Sequence, residues 1–65
     1  MSRRYPNVAD TEMVLDAIRG MRTRNQLVAS TGLRPEIVDR ALRLLKLTER
    51  AEPIGYRPTQ WRRLP

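Results

Sequence analysis

Sixty-five residues form one domain at most, and a chain of this size buries only about 60% of the surface it exposes when unfolded, which excludes a large enclosed active site. Cys and His are both absent, so disulfides, thiolate and imidazole metal ligands, Cys nucleophiles and the commonest general base are excluded together. Thirteen basic residues against seven acidic give +6, and twelve of the thirteen are Arg, whose guanidinium fork donates bidentately to phosphates and base edges; the balance points to a polyanionic partner.

In chain order, residues 1–7 carry Arg3, Arg4, Tyr5 and Pro6 without periodicity and read as a basic N-terminal arm, either a nucleic-acid contact or a solubilising tail. Residues 8–65 read as one domain. Asn7 or Asp10 caps a first helix, in which Val14, Leu15, Ala17, Ile18 and Met21 recur at helical spacing towards a stop near Gly20. Thr23 followed by Gln26 has the form of a capping box and opens a short second helix, Arg24 to Thr31, closed by Gly32 with Leu27 and Val28 inward. Arg34-Pro35-Glu36 starts a third helix, because Pro is favoured at the first helical position and the residue before it is pushed out of the α region.

That third helix is expected to run to about Lys46. At about 100° per residue, Ile37, Val38, Ala41, Leu42, Leu44 and Leu45 fill one arc of roughly 160°, and Glu36, Asp39, Arg40, Arg43 and Lys46 fill the other side. Beyond it, Leu47 to Ala51 alternates, a Pro- and Gly-containing loop spans about Glu52 to Pro58, and a second extended stretch covers Thr59 to Leu64. The expected architecture is mainly α with a small two-stranded β-hairpin, in which Pro53 and Pro58 confine pairing to edges.

The second helix, a Gly-containing turn and an amphipathic third helix with a basic outer face have the order of a helix-turn-helix. Here the sequence resembles the winged helix-turn-helix DNA-binding domains common in bacterial and phage regulators. Thr23 stands where that family opens its second helix, Thr31-Gly32-Leu33 matches its turn, and Ala41-Leu42 with Leu45 matches the Ala-Leu-x-x-Leu repeat of its recognition helix. The resemblance covers Asp10 to Leu64. It departs at Lys46-Leu47-Thr48, where family members usually have a Gly shortly after the recognition helix.

The resemblance implies a three-helix winged helix-turn-helix that reads duplex DNA with helix 3 in the major groove. The residue chemistry makes the same case independently. Arg34, Arg40 and Arg43 suit guanine acceptors, and Glu36 or Asp39 suits the cytosine amino group. Backbone contacts are expected from Arg22, Thr23, Arg24, Asn25 and Lys46, those at the start of helix 2 being helped by free N–H groups and the helix dipole. Arg50, Tyr56 and Arg57 are the expected wing contacts. Residues 33–65 hold eight basic and four acidic side chains, so positive charge gathers where the reader and wing would be.

Plainer roles stand beside these. Glu36 with Arg40 and Asp39 with Arg43 are i,i+4 pairs in the favourable order, so the arginines could simply brace a solvated helix at about 0.2–0.5 kcal/mol per pair. Thr23 and Gln26 serve as a cap first. Trp61 reads as a core anchor rather than a base-stacking platform in a chain without Phe. Leu44, Leu47 and Leu64 are either core or an apolar patch for a protein partner. Asp10, Glu12 and Asp16 read as surface charges rather than a metal site, and Tyr5 or Tyr56 as a nucleophile lacks the supporting groups catalysis needs.

The expected function is therefore a sequence-specific DNA-binding protein without enzymatic activity, cofactor or metal. A small prokaryotic or phage transcriptional regulator, or a recombination or replication accessory factor, fits this description. The alternative is a protein-interaction adaptor on the same scaffold. One module buries only about 600–1,000 Å² on DNA, so a homodimer on DNA is expected. No apolar run approaches the roughly 18 residues of a membrane span and the opening residues lack a signal core, so a cytoplasmic location, at the nucleoid when DNA-bound, is expected.

Overall fold

A computed structural model describes residues 7–65; apart from Asn7, the basic arm lies outside the described residues. The elements run α1 (Val8–Ala17), β1 (Met21–Thr23), α2 (Arg24–Thr31), α3 (Pro35–Leu47), β2 (Ala51–Ile54) and β3 (Gln60–Arg63). Three helices thus accompany a three-stranded antiparallel sheet of order β1-β3-β2. Among the described residues no helix is long and apolar enough to cross a membrane.

Local chemistry sets the helix ends. Asn7 accepts from the Asp10 amide at 2.7 Å and Asp10 reaches back to the Asn7 amide, so both expected caps act together and Asp10 is buried within the box. The box at α2 is reciprocal in the same way: the Gln26 amide donates to Thr23 Oγ1 at 3.2 Å and the Thr23 amide to Gln26 Oε1 at 2.8 Å. Gly32 closes α2 in the left-handed region at φ 71°, and Pro35 begins α3 behind an extended Arg34.

Three expectations need correction. The first helix does not reach Met21: Ile18 leaves it while staying buried, Gly20 turns the chain at φ 68°, and Met21–Thr23 becomes a strand whose backbone groups pair with β3. The two-stranded hairpin is therefore a three-stranded sheet, in register Met21↔Arg62, Arg22↔Trp61 and Thr23↔Gln60 on one side and Ala51↔Arg63 to Ile54↔Gln60 on the other. The stretch after Lys46 is not extended, because α3 continues to Leu47 and a hydrogen-bonded turn follows before β2 starts at Ala51. The hairpin loop shrinks accordingly from the expected 52–58 to 55–59.

That turn stands where the resemblance calls for a Gly. Glu49 takes the left-handed conformation itself at φ 59°, with its amide bonded to the Lys46 carbonyl and the Arg50 amide to the Leu45 carbonyl. The two bonds form the helix-terminating Schellman pattern, which satisfies carbonyls the end of α3 would otherwise leave open.

The core joins Val14, Leu15 and Ile18 of α1 and its exit to Leu27 of α2, Val38, Ala41, Leu42 and Leu45 of α3, and Ala51 of β2. Trp61 packs against this cluster from the sheet side together with Ala17, Val28 and Leu33, in keeping with a core anchor. Leu44 falls at the edge of the apolar arc and stays 43% exposed, so the inward set of α3 is narrower than the sequence pattern.

Candidate functional site

Packing Ile37, Val38, Ala41, Leu42 and Leu45 inward leaves the opposite side of α3 to solvent, where Glu36, Asp39, Arg43, Lys46 and Leu47 are all exposed. At helical spacing Glu36 and Arg43 lie at the centre of this face, with Asp39 and Lys46 on one flank. Among the described residues neither Arg43 nor Lys46 forms an ion pair with a carboxylate. An exposed guanidinium of this kind can deliver its donor fork to paired acceptors such as a phosphate or a guanine edge.

Asp39 does not pair with Arg43 as the i,i+4 spacing suggested. Its carboxylate receives Arg24 Nε at 2.8 Å and Nη2 at 3.1 Å, a bidentate bond across the helix pair from the first residue of α2. Arg24 Nη1 donates further to Asn25 Oδ1 at 3.0 Å. The hydrogen bond to Asp39, with its negative charge, makes the Arg24 guanidinium hold its proton more firmly than usual. Sequence reasoning missed this link because its members are fifteen positions apart and meet only through the way α2 packs on α3.

Other expected contacts fall in several places. Arg34 lies at the α3 N-cap with Nη1 3.8 Å from Glu36 Oε1, so the two share the start of the outer face. Arg40 is half-buried rather than projecting from the middle of that face, with its Nη1 shielded from solvent. Arg22 is half-buried in β1 opposite Trp61, donating to the Met21 carbonyl at 3.1 Å. Thr23 and Asn25 flank the α2 N-terminus; the Asn25 carbonyl is occupied by Arg24, which leaves its amide protons to be donated outward.

The residues expected on a wing separate. Arg50 does not lie on the hairpin as expected: it precedes β2 and grips Glu12 of α1 at 2.6 and 3.2 Å. Tyr56 and Arg57 remain at the exposed hairpin tip, with the Arg57 guanidinium carbon 5.3 Å from the Tyr56 ring centre. Arg62 pairs across the strands with Glu52, its register partner.

No family model, curated protein or solved structure matches the chain. Beside the outer face of α3 lies a shallow groove of about 270 Å³ lined by Asn7, Val8, Thr11, Glu12, Leu44, Thr48 and Arg50. Val8 and Leu44 of its lining are 79% and 43% exposed, so apolar side chains reach the surface on this flank.

Proposed function

We propose that the chain is a winged helix-turn-helix domain that binds duplex DNA sequence-specifically, as a small prokaryotic or phage regulator of transcription, recombination or replication. The observation that carries this reading is the outer face of α3, with Arg43 at its centre and Lys46 at its flank, both exposed and without carboxylate partners among the described residues, in a chain of net charge +6. On it, α3 enters the major groove with Arg34 and Arg43 donating to base edges and Glu36 available as an acceptor. Arg22, Thr23, Asn25 and Lys46 hold the backbone, and the Tyr56–Arg57 tip reaches the sugar-phosphate edge. The strand order β1-β3-β2, with the β2–β3 hairpin following the reader helix, supports the winged layout. Two copies on adjacent half-sites would supply the footprint that one module lacks.

A protein-interaction adaptor is the competing reading, favoured by the apolar groove and the exposed Val8, Leu44 and Leu47. Selection of bound fragments from random duplex discriminates the two. The DNA reading expects an enriched motif whose affinity falls steeply with salt, and the half-site spacing would show the symmetry. No enrichment and salt-insensitive capture of a protein would favour the adaptor.

A further inference from the structure

From the Arg24–Asp39 bond we infer that Asp39 reads the amino group of a cytosine in the major groove, and that Arg24 is the positioning residue that aims it rather than a contact to phosphate. The inference rests on the DNA reading and assigns one base pair within it.

The geometry on both partners supports the division of labour. Arg24 spends Nε and Nη2 on Asp39 and Nη1 on Asn25, so three of its five donors are committed and its plane is fixed between two helices. A guanidinium whose charge is matched by a carboxylate at 2.8 Å offers a phosphate little net attraction. The carboxylate is in the opposite position. Its two oxygens take one bond each from Arg24, which leaves acceptor capacity on a side chain that is still 51% exposed.

Asp39 lies in the N-terminal half of α3, the part of a reader helix that meets base edges. An acceptor there selects a donor. In the major groove cytosine offers its N4 amino group, whereas guanine presents O6 and N7 and thymine presents O4, all acceptors that repel a carboxylate. Adenine pairs its amino group with an acceptor N7, so a carboxylate fixed by Arg24 favours cytosine over adenine as well.

Four proteins test this, the wild type, Arg24→Ala, Asp39→Ala and the double variant, each titrated at one fixed salt concentration against a selected duplex, the same duplex with each substitution of the preferred C·G pair, and random duplex. Thermal melts establish folding, and an exposed pair of this kind contributes little to it. Arg24→Ala and Asp39→Ala should each lose roughly 5- to 150-fold on the selected duplex and relax preference at the same single base pair. The double variant keeps the net charge, so its random-duplex affinity should return to about the wild-type value while that preference stays lost. A phosphate role for Arg24 gives the reverse pattern, with unchanged base preference, a salt slope lower by about one counterion, and random-duplex binding that the double variant does not recover. That pattern overturns the assignment while leaving DNA binding intact. Absence of duplex binding by the wild type overturns the DNA reading itself.

Discussion

Arg50 shows how a single side chain's role depends on the backbone that presents it. A cation between a reader helix and a hairpin suits a wing contact, yet its guanidinium is closed onto Glu12 of α1. The hydrogen bond from Arg50, reinforced by the charges of Arg50 and Arg63, outweighs desolvation and holds the Glu12 carboxyl below its ordinary value. A depressed carboxylate stabilises the fold fully above the unfolded-state pKa, and that contribution is lost as pH falls through the lowered folded-state value. Glu12→Gln should therefore be less stable than wild type at neutral pH and should converge with it in acid. Melts between neutral pH and about pH 2 check this, and a constant difference across that range would show that the ion pair is not the source of the effect. Arg43 presents the contrast, being exposed on α3 with no carboxylate partner among the described residues.

At the scale of elements, the exit from α3 is closed by Glu49 in a conformation that costs an L-residue roughly 1–2 kcal/mol, where glycine would incur only its larger chain entropy. Glu49→Gly should thus raise stability by roughly 0.5–1 kcal/mol, read as a higher melting temperature with the far-ultraviolet dichroism unchanged. A lowered melting temperature would mean that the Glu49 side chain contributes more than its backbone costs. The neighbouring elements show which features sequence alone discloses. Thr23 with Gln26, Gly32 and Pro35 mark their helix ends because each signal lies within four residues of its consequence. Strand β1 left no such signal, since three residues are too few for a period and their partners Gln60 to Arg62 lie at the far end of the chain. The same holds at the site: the charged face of α3 follows from helical spacing, whereas the Arg24–Asp39 and Arg50–Glu12 bonds depend on how the helices cross.

Over the whole molecule, ion pairing narrows the set of cations that carry the net charge of +6 to the surface. Bonds to Arg24, Arg50 and Arg62 engage Asp39, Glu12 and Glu52, and Glu36 lies within reach of Arg34. What remains is an excess of exposed cations that includes Arg43, Lys46 and Arg57, carried by α3 and the hairpin tip. The proposal that Arg43 reads a base is decided by paired titrations of wild type and Arg43→Gln on the selected site and on random duplex. At one fixed salt concentration, with folding verified by circular dichroism, the substitution should cost about 1–3 kcal/mol on the selected site and much less on random DNA, relaxing preference at one base pair. Equal and small losses on both duplexes would contradict direct readout and shift the balance to the protein-binding role.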